Sequence, residues 1–203
     1  MGFAILAALL WLVPAAAAAQ CDPAAPQHRF TGFRSAQFGM TQAEVREAIP
    51  RDFGAAVAPQ TVATPDPATT ALKVSLLKLN PAPGPASITY LFAGDTGRLV
   101  HVNVGWVSAN EPTELDRRAM ATAGLRLQRY FGALPEKPCE ASNGGVVGPG
   151  KLLLYRGRDD AGRWVEVTVQ GVRFETPASG TAAPAPRGPA ILQISYGSGA
   201  PAR

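Results

Sequence analysis

The chain has 203 residues, 46% of them hydrophobic and 17% charged, with a formal net charge of +4. That length accommodates one ordinary domain or two small fused units whose core needs no metal or cofactor. The arginines are scattered and no lysine-rich tract stands beside aromatics. The charge therefore favours solubility and mild attraction to anionic surfaces, and excludes the basic face that nucleic-acid binding requires.

Residues 3–13 form an almost purely apolar run, followed by Pro14 and the alanines 15–19. A short apolar core ending in Ala17-Ala18-Ala19 reads as a secretory signal peptide over 1–19, cut before Gln20. No lysine or arginine precedes the run, so a retained anchor is the competing reading. No later segment approaches the ~20 apolar residues of a spanning helix, so no integral membrane segment is expected after cleavage. The implied location is the periplasm or the exterior. Cys21 invites a lipoprotein reading, but Gln20 stands where such signals carry a small residue.

Cys21 and Cys139 are the only cysteines, both in the exported part. In an oxidising compartment they read as one structural disulfide. It would close a loop of roughly 118 residues, for which chain entropy gives about 4–5 kcal/mol. Thiol redox chemistry and metal binding find no Cys-x-x-Cys and no partner histidines.

An extended N-terminal segment is expected over 20–37. Thr41 and Glu44 then make a capping box, with Met40 and Val45 as its hydrophobic staple. The helix is predicted over 42–49, because Pro50 disfavours helical geometry in Ile49, with a brief resumption through Phe53. Residues 55–70 read as a loop and 71–79 as a strand ended by the 81–85 turn. Ile88, Tyr90 and Phe92 alternate in the next strand, Gly94-Asp95-Thr96-Gly97 is a hairpin turn, and 98–106 returns. On the returning strand Val100, Val102, Val104 and Trp106 share one face; Leu99, His101, Asn103 and Gly105 share the other.

The longest helix is expected over about 112–131. Asp116, Met120, Ala123, Leu127 and Tyr130 recur at three- and four-residue steps, placing Met120, Ala123, Leu127 and Tyr130 on a sheet. Arg117, Arg118, Arg126 and Arg129 are then directed mostly towards water. A Gly-rich loop carrying Cys139 leads to a strand over 152–155, a turn at 158–162 and a returning strand over 163–172. Residues 176–190 read as a surface segment rich in Pro, Ala and Gly, and 191–196 as the last strand.

Two stretches recur in the same order. Gly97-Arg98-Leu99-Val100-His101-Val102-Asn103-Val104 is echoed by Gly162-Arg163-Trp164-Val165-Glu166-Val167-Thr168-Val169. Ahead of them, Arg51-Asp52-Phe53-Gly54-Ala55 is echoed by Arg129-Tyr130-Phe131-Gly132-Ala133. The echoes suggest one helix-plus-hairpin unit used twice: a first unit over 38–110 and a second over 111–203. The expected fold class is α+β, with tandem helix-plus-antiparallel-meander units and the helices packed on one face of the sheet.

The unlike residues of the longer echo fall opposite the valines. Leu99, His101, Asn103, Trp164, Glu166 and Thr168 form the candidate binding row, with Gln193 and Ser195 beside it. Trp164 either presents a partner surface or lies under the 176–190 segment. His101 and Glu166 are expected near each other, as an ion pair or as half of a weak metal site. The catalytic inventory is thin. His28 and His101 are the only histidines, and Asp95, Asp159 and Asp160 sit where hairpin turns use aspartate for backbone hydrogen bonds. No nucleophile elbow, phosphate loop or His-Glu-x-x-His occurs, so no catalytic residue, metal or cofactor is assigned.

The run Phe38-Gly39-Met40-Thr41-x-x-Glu44-Val45 resembles the helix entry of small exported helix-plus-three-strand domains of the outer-membrane assembly factor BamE (SmpA/OmlA) type. It also resembles the tandem form in β-lactamase inhibitory proteins. The resemblance spans about 38–106 and, more loosely, 112–196. It implies a non-enzymatic exported domain that binds protein, here an envelope partner. The alternative is a small-ligand-binding or weakly hydrolytic protein using a groove between the units.

Overall fold

The computed structural model describes residues 26–174 and 186–199. The expected signal peptide, Cys21 and most of the 176–190 segment lie outside the described residues. The elements in chain order begin with β1 (Gly32–Phe33), β2 (Ala36–Gln37), α1 (Gln42–Phe53), β3 (Gln60–Val62), β4 (Thr69–Leu76), β5 (Ala86–Ala93) and β6 (Leu99–Val107). They continue with α2 (Glu114–Gly132), β7 (Glu140–Ser142), β8 (Val146–Gly148), β9 (Lys151–Arg158), β10 (Trp164–Gln170) and β11 (Ile191–Gly197). The class is α+β, dominated by one antiparallel sheet in the order β3-β4-β5-β6-β11-β10-β9-β7, with β8 also on β9.

Both helices start where side chains satisfy their open N–H groups. Thr41 and Glu44 form the expected capping box, and Thr113 with Asp116 forms a second. The carboxylates of Glu44 and Asp116 are held below the ordinary range, chiefly by hydrogen bonds from the backbone and side chain of these threonines. α1 does not stop at Ile49: it runs through Pro50 to Phe53. Proline lacks the N–H that would bond four residues back and so removes one helical hydrogen bond, but only three helical residues follow Pro50, so the interruption is confined to the end of the helix. The Gly54 N–H donates to Pro50 O and closes the end.

α2 lies against β9, β10 and β11. Its buried stripe is Arg117, Met120, Ala123, Gly124, Leu127 and Phe131, with Ala121 beside it. Two expectations are corrected. Tyr130 is 63% exposed and Phe131 takes its place on the sheet. Arg117 points inward, where its guanidinium donates to the carbonyls of Gly171 and Gly188. The four-residue step from Leu127 to Phe131 continues the buried stripe, and two free carbonyls at the ends of the β10–β11 connection make a buried cation tolerable.

The sheet's inner face is continuous across the molecule. Val74, Ile88, Val104, Ile194, Val167 and Tyr155 form one cross-strand row. Leu72, Tyr90, Val102, Tyr196, Val165 and Gly157 form the next. Apart from Gly157, which has no side chain, these residues make a single core with Val45 and Ile49 of α1 and Met120 and Phe131 of α2. Each buried aliphatic or aromatic side chain contributes roughly 1.5–3 kcal/mol, against about 1 kcal/mol for a helix cap. Burial of these rows therefore outweighs the local signals. β3, β7 and β8 were not foreseen; each is a three-residue edge strand too short to show a period.

The N-terminal segment is fastened by a buried carboxylate. Asp159 accepts from the Phe30 N–H at 3.0 Å, from the N–H groups of Ala161 and Arg163, and from Arg163 Nε at 2.8 Å. Asp160 beside it pairs with Arg29 at 3.0 Å. Phe30 then lies over Gly157, where a Cβ would come within 2.9 Å of the phenyl ring. Turn chemistry was expected of Asp159 and is present, but the same carboxylate also closes one end of the core. Replacing Asp159 by Ala leaves Arg163 and the Phe30 N–H without their acceptor and is expected to cost about 3 kcal/mol in urea unfolding. Asp95, in an exposed turn, serves as the comparison site, and Asp95→Ala is expected to change stability by less than about 0.5 kcal/mol.

Candidate functional site on the open face of the sheet

The period of two that buries the valines sends their neighbours to the opposite face. Thr89, Asn103, Ser195, Glu166 and Arg156 stand in one row across β5, β6, β11, β10 and β9. Leu91, His101, Gly197, Trp164 and Arg158 stand in the adjoining row. His101, Asn103 and Glu166 therefore lie on the open face as expected, with Gln193 and Ser195 between them; Thr168 pairs with Gln193 on that side but is only 5% exposed, so it does not belong to a solvent-facing row.

Leu99 does not belong to this face. The β5–β6 register shifts between Leu91 and Phe92, so that Leu91 meets His101 but Phe92 meets Leu99. The extra residue, Val100, absorbs the bulge and Leu99 turns into the core, fully buried. Strict alternation from the valines missed this because a bulge inverts the facing of everything before it. Its local partners are Gly39 and Met40, whose backbones exchange hydrogen bonds with Leu99.

The centre of the face is a closed polar network. Asn103 Oδ1 accepts from Ser195 Oγ at 2.7 Å and from Gln193 Nε2 at 3.0 Å. Gln193 Nε2 also donates to Ser195 Oγ at 2.9 Å. His101 Nε2 stands 3.0 Å from Asn103 Oδ1. An amide oxygen only accepts, so Nε2 carries the imidazole proton and Nδ1 keeps its lone pair. Burial pushes the His101 pKa below its ordinary 6.5, opposed by the Asn103 hydrogen bond and the charge of Glu166.

Glu166 does not form an ion pair with His101. Its carboxylate takes Arg156 Nε at 2.6 Å, from the adjacent strand. Arg156 was invisible to the pattern reading, which ended its strand at Tyr155. The partner of His101 is instead Trp164, with the rings edge to face at 5.3 Å between centroids.

Trp164 is only 6% exposed, which excludes a fully presented indole. It lies over Gly197, where a Cβ would fall 2.4 Å from the ring. Only glycine at that position lets the indole settle on the sheet. The indole Nε1–H is buried without a partner among the described residues. The outer edge of Trp164, with Arg156, Arg158, Glu140 and Ser142, borders a hollow of about 420 Å³.

The arrangement does not build an activated nucleophile. The Ser195 hydroxyl donates to Asn103, not to the imidazole, so no base is placed to take its proton. His28 belongs to the N-terminal segment: its N–H donates to Lys137 O and its ring lies edge-on to Phe30 at 5.0 Å. Among the described residues no group of three or more His, Cys, Asp or Glu side chains could hold a metal ion. Among them, too, no helix is long and apolar enough to cross a membrane. No family model, no curated protein and no solved structure matches this chain.

The network makes His101 a pH-dependent element of stability. Its folded pKa lies below the unfolded one, so above 6.5 both states are neutral and nothing is lost. As the pH falls below 6.5, the unfolded state takes up the proton first and stability declines until the folded pKa is passed. With only two histidines in the chain, NMR titration of the imidazole resonances reads this directly. His101 is expected to titrate below the ordinary 6.5, and His101→Gln should flatten the loss of stability on mild acidification.

Proposed function

We propose that this chain is an exported, non-enzymatic protein-binding or envelope-structural module that engages an envelope partner through the open face of its sheet. The observation that carries this reading is the locked network of Asn103, Ser195, Gln193 and His101, flanked by the Glu166–Arg156 pair. Side chains already fixed by one another lose little rotamer freedom when a partner covers them, which favours a preformed interface. The same hydrogen bonds occupy the groups that a hydrolytic reading needs. Direct pairing of β6 with β11 also leaves no groove between the halves on this face.

We further propose that the chain comprises two helix-plus-meander units, over 38–110 and 111–203, sharing one sheet. The order of elements supports this: α1 is followed by β4-β5-β6 and α2 by β9-β10-β11, each trio adjacent in the sheet. The octamer echo does not map one unit onto the other, since β6 ends its trio and β10 is the middle of its own. The likeness of those octamers comes from a shared task, that of returning from a Gly-Arg hairpin turn. The resemblance to BamE-type and inhibitor-type domains remains consistent with this order of elements.

The location proposed is the periplasm or the exterior, with residues 1–19 removed and Cys21 joined to Cys139. Cys139 is not a free thiol. Gln27 bridges Lys137, two residues before Cys139, which brings the N-terminal segment alongside that loop. Intact-mass measurement of protein recovered from the periplasm, before and after reduction, checks cleavage and bridge together. Two free thiols before reduction would refute the bridge.

The interface is tested by capture from envelope extract with wild type and with Thr89→Arg. Thr89 lies half-buried on the open face in the Asn103 row, so the longer cation obstructs the surface without entering the core. Loss of the wild-type partner by this variant, with retention by a helix-side control such as Arg129→Ala, is the expected outcome. Equal recovery by both variants would remove the open face as the interface.

A further inference from the structure

The opposite side of the molecule carries a second feature that the open face does not use. Between α2 and the turn at 78–85 runs a cleft of about 460 Å³. Its helix side is built at four-residue steps: Leu115, Ala119 and Ala123 line its apolar side, while Arg118, Thr122 and Arg126 form a parallel polar stripe. The far wall is Pro81, Ala82 and Pro83, with Lys78 and Asn80 above them. That wall is anchored, because Trp106 Nε1 donates to Leu79 O at 2.7 Å and Leu79 and Ala82 are both buried. The cleft is therefore a built surface.

Two observations indicate what it takes. Lys78, Arg118 and Arg126 border one cleft that has no carboxylate in its lining. None of the three forms an ion pair among the described residues. The nearest acids on the helix, Glu114 and Asp116, lie towards its start, and Asp116 is engaged by Thr113. The cleft's own Leu115 is 74% exposed, and Leu77, which precedes Lys78 in the chain, is 94% exposed. Exposed leucines beside a small-residue floor and unpaired cations suit an occupant that is apolar on one side and anionic on the other.

The dimensions favour an extended peptide. Arg118 and Arg126 are eight residues apart on α2, about 12 Å along its axis. In an extended chain, residues four apart stand about 13 Å from each other and, with the residue midway between them, point to one side, while the second and fourth point to the other. We propose that this cleft docks an extended acidic segment of a partner protein. Carboxylates at its first and fifth positions meet Arg118 and Arg126, with Lys78 opposite. Apolar side chains at its second and fourth positions rest on Ala119, Ala123 and Leu115. This site lies on the helix-bearing side of the sheet and is independent of the open face.

The probe is a fluorescent peptide, Glu-Leu-Ser-Leu-Glu with blocked ends, followed by anisotropy against the full chain. Saturable binding that weakens roughly tenfold or more when both glutamates become glutamines, and falls with added salt, is the expected result. Arg118→Glu with Arg126→Glu should abolish it, and so should Ala119→Tyr, which fills the floor while leaving every cation in place. Both variants alter side chains outside the core, and unchanged thermal unfolding confirms that the fold is intact. If the double variant fails to fold, Lys78→Glu replaces it with the same expected loss. Equal affinity for the glutamine peptide, or binding unaffected by Ala119→Tyr, overturns the proposal. So does absence of peptide binding together with Arg118- and Arg126-dependent sedimentation on phosphatidylglycerol vesicles, which would assign the cleft to an anionic membrane surface.

Discussion

The antiparallel pairing of β6 with β11 is the constraint on which the rest depends. It joins the strands before α2 to those after it, with Val104 opposite Ile194 and Asn103 opposite Ser195. Without it each trio would present a long unpaired strand as an edge, with open N–H and C=O groups and half a core. With it, the inner rows become one apolar surface wide enough for both helices. The remaining edges are left to the short strands β3, β7 and β8, which offer little backbone for a foreign strand to pair with.

The same pairing creates the candidate site. Asn103 and Ser195 are 92 residues apart, and only the β6–β11 register brings the hydroxyl to the amide. One row along, that register places Gly197 between His101 and Trp164, and the missing side chain at Gly197 allows the rings to meet. A shift of one residue would send each of these groups into the core and the valines to water. Apolar rows on one face therefore specify the polar row on the other. The network inherits its precision from the core beneath it.

Much of the architecture was legible. The helix starts at Thr41, the β5–β6 and β9–β10 hairpins and the alternating valines follow from local chemistry, because capping and turn geometry involve residues close in the chain. The errors have physical causes. Pro50 is tolerated in a last turn, a bulge at Val100 inverts Leu99, and Arg117 finds carbonyls at Gly171 and Gly188. Trp164 could be placed on the open face but not assigned an exposure, since Gly197 lies 33 positions away in the chain.

The sequence by itself determined which residues alternate, where the chain turns and which face of each strand is apolar, because those properties arise from neighbours within a few residues. It also established that the expected polar row exists. Only the tertiary structure decided that the strands form one sheet, that Glu166 pairs with Arg156 rather than His101, and that Asp159 holds Phe30. Each of those outcomes is a choice among partners distant in the chain. Register and competing hydrogen bonds make that choice, and neither is written in local spacing.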